Sequence, residues 1–173
     1  MHTRVLVTLL LGGLLSLGQG CGNLPSSESQ PALAPGIYTG VGSGTVVVRT
    51  TGSSSEESFG DMTSIQIGEN GLPIVGGSEL VDGDVLSVVA GGMVFVTTIR
   101  SVTPSLNGVV VQFQLLVLVD TPEGSAVLTG QGSEVYKSPE PRTIEWERSR
   151  FLSGLVNGET VSIITSETGV YTR

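Results

Sequence analysis

Asn-Gly occurs three times in this chain, at Asn70-Gly71, Asn107-Gly108 and Asn157-Gly158, and it limits the possible folds more than any other feature. Both residues tolerate positive φ, so the pair closes the two-residue turns of β-hairpins. Further breaks fall at Asp82-Gly83-Asp84, at Gly91-Gly92 and at Pro122-Glu123-Gly124. The apolar runs between breaks predict strands over Ile37–Arg49, Thr63–Gly68, Leu72–Val75, Val85–Val89, Met93–Val102, Val109–Val119, Ser125–Tyr136, Thr143–Arg150 and Thr160–Thr165. No window carries a sustained helical period with start and stop signals. Only Phe151–Gly158, "FLSGLVNG", predicts as much as a helical turn. Composition points the same way, with Gly 25, abundant Val, Ser and Thr, and one lysine, Lys137. Such residues make poor helices, while Val and Thr suit a pleated surface.

Many short strands joined by tight turns pair antiparallel, and 173 residues suffice for one domain with a real core. The expected fold is all-β: a small antiparallel up-and-down β-barrel of about eight strands, with a β-sandwich as the alternative. In "VVVQFQLLVLVD", Val109, Val111, Phe113, Leu115, Val117 and Val119 share one face, and Leu116 and Leu118 lie on the other. "MVFVTTIR" repeats the arrangement, with Met93, Phe95 and Ile99 opposite Val94 and Val96. These two runs are expected to be adjacent central strands. Gly40, Gly42 and Gly44 leave one strand face nearly bare on the side of Tyr38, and Gly130 and Gly132 make a second bare patch. Bare faces let a strand bend or another group approach closely.

The first residues read as an address. Met1–Arg4 carries one positive charge, and Val5–Leu17 is an uncharged apolar run, too short to span a bilayer as a helix and of signal-peptide length. Small residues then lead to the only cysteine, Cys21. "L-G-Q-G-C" (Leu17, Gly18, Gln19, Gly20, Cys21) resembles the lipobox of bacterial lipoproteins, with Leu17 one place further from the cysteine than in the tightest form. The resemblance implies that Cys21 is acylated with palmitate-type chains and becomes the mature N-terminus. By the sorting rule of Gram-negative lipoproteins, Gly22 in place of Asp implies the outer membrane. "GNLPSSESQPALAP" (Gly22–Pro35) cannot bury enough apolar area to order itself, and reads as a tether. The organisation expected is a signal peptide over 1–20, a lipidated disordered tether over 21–35 and one all-β domain over 36–173.

Net charge is -8 with a pI ≈ 4.5, and the few basic residues are scattered, so a nucleic-acid partner is disfavoured. The lone histidine, His2, lies in the expected signal peptide. Without it the mature chain has lost the commonest general base and metal ligand. Ser43 in "GSG" and Ser133 in "GQGS" therefore have no histidine to activate them. Asp82-Gly83-Asp84 and the acidic stretch Ser53–Asp61 lack the register of a calcium loop, and read as a turn and a solvated loop. Glu145 and Glu147 share a strand face roughly 7 Å apart. With Ile144 and Trp146 facing the core, the two carboxylates fall on the solvated side. No catalytic residue, metal ligand or cofactor is expected.

Continuing the alternation from Ile144 and Trp146 turns Arg148, and next Arg150, toward the core. An inward arginine needs an acceptor or must reach water at a barrel rim, lying over Trp146. Gly36 followed by Tyr38, with Arg148 or Arg150 on a late strand, resembles the lipocalin-like (calycin) barrels, in which a late arginine packs against the first-strand aromatic. The functional expectation is a lipid-anchored, non-enzymatic envelope module. In one form it encloses a small apolar ligand in a cavity of about 300 Å³ or more, with Tyr38, Met93, Phe113, Trp146 and Arg148 as candidate ligand contacts. In the other it is a packed scaffold whose second face, with Val94, Val96, Leu116 and Leu118, docks an envelope protein or a second copy.

Overall fold

The computed structural model describes residues 33–121 and 124–173, so the signal peptide, Cys21 and most of the expected tether lie outside the described residues. All regular structure among the described residues is β. Ten strands follow in order: β1 (Gly36–Arg49), β2 (Ser54–Ile67), β3 (Ile74–Val75), β4 (Ser78–Glu79), β5 (Val85–Ala90), β6 (Met93–Ser105), β7 (Gly108–Thr121), β8 (Gly124–Lys137), β9 (Thr143–Val156) and β10 (Glu159–Thr172). Eight form one antiparallel sheet in the order β2-β1-β10-β9-β8-β7-β6-β5, while β3 and β4 make a separate short hairpin. The all-β expectation holds, and so does the number of strands in the main sheet.

Closure is where the sheet departs from a full barrel. First and last strands join through β1 and β10, but β2 and β5 each keep one partner in the sheet and form its two edges. The sheet nonetheless curls around one interior, because Ile65 of β2 and Leu86 and Val88 of β5 line the same space as Phe113 of β7. Across the seam between the edges lies the connection from β2 to β5. It is held by Leu80 donating its N–H to Pro73 O at 2.9 Å, and by Asn70 donating N–H and side-chain amide to the Glu79 carboxylate at 2.8 and 2.6 Å.

Period-2 alternation fills the interior. Val109, Val111, Phe113, Leu115, Val117 and Val119 are all buried, and Met93, Phe95 and Ile99 face them from the adjacent β6. Each such side chain, fully buried, contributes roughly 1.5–3 kcal/mol. Leu33, expected in the tether, is buried as well, so the ordered chain begins before Gly36.

Three expectations about local structure change. The acidic stretch beginning at Ser54 is the first half of β2: it pairs with β1 along its whole length and looks like a loop only because an edge strand needs little apolar surface. "FLSGLVNG" is no helical turn; β9 runs on through Val156 before Asn157 (φ 51) and Gly158 (φ 80) close a two-residue turn. Asn107-Gly108 sits one place out of register, with Gly108 already paired to Ser105.

The bare glycine faces admit large neighbours. A Cβ on Gly42 would stand 3.0 Å from the Tyr171 hydroxyl, and one on Gly132 would stand 2.5 Å from the Phe113 ring. Glycine is what lets those aromatic rings lie flat across the ladder.

Candidate functional site

Three neighbouring strands turn a polar cluster into this interior. Cross-strand register places Glu134 of β8, Arg148 of β9 and Glu167 of β10 side by side in one row. Tyr136, Trp146 and Gly169 form the row on one side, and Gly132, Arg150 and Thr165 the row on the other. Partners opposite one another share a face, so the alternation that carries Ile144 and Trp146 inward carries Arg148 and Arg150 with them.

Arg148 Nε donates to Glu134 Oε1 at 2.6 Å, and its Nη1 lies 3.6 Å from Glu167 Oε2. Its guanidinium stacks 4.4 Å from the Trp146 ring centre, a cation–π contact strengthened by desolvation. Tyr136 donates its hydroxyl to the other Glu134 oxygen. Arg150 is more buried still, its side chain 6% exposed, and its one ion-pair partner among the described residues is Glu167, at 3.6 Å. Beside it the Thr165 hydroxyl is buried with no hydrogen-bond partner among the described residues. Trp146 meets Tyr171 edge-to-face at 6.1 Å.

Electrostatics follow from this geometry. Burial pushes the Glu134 carboxyl up, but Arg148 and then Arg150 outweigh it, with help from the Tyr136 and Arg148 hydrogen bonds, and its pKa falls below 4.5. Burial and the Glu134 charge drive Tyr136 well above the usual tyrosine value. For Arg148, burial is outweighed by Glu134 and Glu167, and the charged form is reinforced. Arg150 goes the other way: burial and the like charge of Arg148 push it down to about 9. At neutral pH Glu134 is ionised and both arginines are charged, while Tyr136 keeps its proton.

The cluster forms the polar wall of a cavity of about 180 Å³. Its apolar wall comes from Phe95, Ile99, Phe113 and Leu115, and its opening is the seam, between Ile65 of β2, Val75 of β3 and Leu86 of β5. The volume is below the roughly 300 Å³ at which drug-sized ligand sites begin. It is comparable to the ~150 Å³ apolar cavities that accept benzene or xenon.

Of the residues singled out as ligand contacts, Phe113, Trp146 and Arg148 line this cavity. Tyr38 and Met93 do not. Tyr38 is buried where its hydroxyl donates to Ala34 O at 2.8 Å, and Met93 is buried at the start of β6, beside the 91–92 turn. The arginine over Tyr38 is Arg173, 5.6 Å from the ring centre, and neither Arg148 nor Arg150. That departs from the lipocalin-like pattern for a simple reason: β10 lies beside β1, so the residue that follows it, Arg173, is the arginine at hand. Arg148 and Arg150 are also away from any rim, in the middle of β9.

Glu145 and Glu147 face outward and are exposed, with Glu147 paired to Lys137 at 3.2 Å. Asp82 and Asp84 serve their turn, accepting from Val102 N–H at 2.6 Å and Val81 N–H at 2.9 Å. Ser133 shares a 3.2 Å hydrogen bond with Ser149 on the outer face. Glu134 and Glu167 were not singled out from the sequence. Their signal was the same alternation, since Leu128 and Tyr136 share parity with Glu134, and Ile163 and Tyr171 with Glu167.

The middle of the outer face is polar. Its middle row runs Gln112, Ser133, Ser149, Ser166, Thr45 and Ser58 across six strands. A membrane barrel carries an apolar band about 25 Å tall there.

No protein-family model matches the chain, and no curated protein matches it in sequence. Among solved structures, the crystal structure of Neisserial surface protein A (NspA) is similar at 11% identity and a TM-score of 0.43, over 79% of this chain and 96% of that one. At that score the likeness is too loose to bear on function.

Proposed function

We propose that this chain is a lipid-anchored, non-enzymatic binding protein of the bacterial cell envelope, taking a small amphipathic molecule into the seam-opened cavity. One observation carries the reading: a mostly apolar cavity of about 180 Å³ ends on a buried pair of arginines. The apolar body of the ligand lies against Phe95, Ile99 and Phe113, and its anionic or hydrogen-bonding end meets Arg150. Arg150 is the natural contact because its one acceptor is distant, whereas Arg148 is committed to Glu134. Cavity size limits the occupant to something like a substituted benzene ring or a short-chain acid, and makes a long-chain lipid a poor fit. Anchoring through Cys21 rests on the lipobox-like "LGQGC" and the apolar run before it. Outer-membrane placement follows from Gly22 if the cell is Gram-negative.

The test uses the full chain purified from the expressing cells. Native mass spectrometry reads any co-purifying small mass, and thermal unfolding is followed with benzoate, hexanoate and hexanol. We expect the acids to raise the melting temperature of the wild type and not of Arg150→Met. The reading fails if none of the probes binds and no small mass co-purifies. A hexanol effect equal to that of hexanoate, unchanged in Arg150→Met, would confine it to an apolar ligand.

A further inference from the structure

The two edges of the sheet are built differently. β2 carries Glu56 and Glu57 in succession, and cross-strand register with Val47 and Val46 sends one to each face. Charges on both faces of an edge strand keep other strands from pairing with it. β5, "VLSVVA", carries no charge at all, and its outward Val85 and Val89 are 63% and 73% exposed.

Backbone direction makes β5 more specific than an apolar strip. The Ile99 N–H donates to Asp84 O at 2.8 Å, so Asp84 directs its carbonyl toward β6. Alternation then directs Leu86, Val88 and Ala90 toward β6, and leaves the N–H and C=O groups of Val85, Ser87 and Val89 pointing away from the sheet. Among the described residues β5 has no other strand partner.

An apolar row begins at this same edge. Successive register pairs link Val89 to Val94, Val94 to Leu118, Leu118 to Val127 and Val127 to Leu155, all on the outer face across five strands. Leu118, Val127 and Leu155 are 39%, 47% and 61% exposed. The row lies at the end of the sheet bearing the 91–92 and 157–158 turns, opposite the end where the chain enters at Gly36.

We infer that β5 is a pairing edge for a second copy of this chain, through antiparallel β5–β5 addition about a two-fold axis at Ser87. That register sets Val85 opposite Val89 of the second copy, Ser87 opposite Ser87, and Val89 opposite Val85. The residues so paired are the ones whose backbone groups are free, and each pair exchanges two hydrogen bonds. Outer valines meet outer valines, so the two apolar rows join into one. An uncharged edge is complementary to itself, whereas a β2 edge meeting its copy would oppose glutamates. A second copy therefore fits both the backbone and the side-chain pattern of this edge.

Sedimentation equilibrium of the full chain in density-matched detergent tests this, with any acyl anchor held in the micelle. We expect a monomer–dimer equilibrium in the wild type and in Glu56→Lys, whose change is on the other edge. Val89→Lys and Ser87→Pro are expected to be monomeric over the same concentrations while melting as cooperatively as the wild type. Ser87→Pro removes an N–H that points away from β6, with no strand partner among the described residues, and proline is tolerated on an edge. A monomeric wild type, a dimer that survives either β5 substitution, or a dimer lost in Glu56→Lys overturns the inference.

Discussion

Arg148 stands directly across the β8–β9 ladder from Glu134 and donates to it at 2.6 Å, while the same guanidinium lies 4.4 Å over Trp146. Arg150, two residues on, has among the described residues only Glu167, at 3.6 Å. The two arginines therefore differ in what their loss leaves behind. Arg148→Met strands Glu134 in the interior, with Arg150 as the remaining nearby cation, and is expected to cost about 3–5 kcal/mol. Arg150→Met removes a charge that burial and Arg148 already oppose, and Glu167 keeps Arg148 at 3.6 Å. Its expected cost is under about 1.5 kcal/mol, because a methionine fills the space of a poorly compensated ion. Urea unfolding of both variants decides the matter, and equal losses would contradict the asymmetry.

Tyr136→Phe tests the acidic side of the same cluster. The Tyr136 hydroxyl bonds the charged form of Glu134, a kind of bond worth about 1.5–3 kcal/mol. Glu134 has a folded pKa below 4.5, so its stabilisation is complete above that value and is lost as pH falls through the folded pKa. The variant should be less stable than the wild type at neutral pH by about that amount, with the gap closing as Glu134 becomes protonated in both. Paired urea titrations from pH 7 downward would show it. A gap that stays constant below pH 4 would mean that the hydroxyl acts by packing alone.

The period-2 pattern made most of this interior legible. Val109 through Val119 and Ile144 through Arg150 point where the alternation sends them, because a one-residue slip would expose a whole strand face. Its limits are physical. Ser54–Gly60 of β2 has too few apolar residues to announce a strand, since an edge needs only its backbone and one neighbour. Phe151–Val156 carries glycine and reads as a helical turn, yet it continues β9, with Gly154 placed where a Cβ would stand 2.9 Å from Leu128. Which arginine meets Tyr38 depends on β10 lying beside β1, a long-range pairing that no local pattern encodes. The open seam is of the same kind, for its edges are the first and last of the eight strands in the sheet order.

Gly132→Ala should expose how tightly the inner wall is fitted. The added methyl would stand 2.5 Å from the Phe113 ring and 2.6 Å from the Ser149 carbonyl oxygen. One of those contacts is backbone, so the ladder itself must shift, at a cost of about 1–3 kcal/mol. Gly52→Ala, where nothing lies within 4 Å, is the control and should stay within about 0.5 kcal/mol of the wild type. Comparable losses at the two positions in denaturant melts would show that Gly132 is not needed for close approach.

Cys21→Ala tests the address. Each buried methylene of an acyl chain contributes about 0.8 kcal/mol, so one chain holds a protein only marginally and two hold it firmly. The outward middle row of Gln, Ser and Thr is polar where a membrane barrel carries its apolar band. Membrane association should then depend on the cysteine. In cells expressing the full chain, fractionation should find the wild type in the membrane pellet and Cys21→Ala in the soluble fraction. Metabolic labelling with an alkyne palmitate analogue should mark the first and not the second. Retention of the variant in the pellet, or labelling that persists without Cys21, would place the attachment elsewhere in the chain.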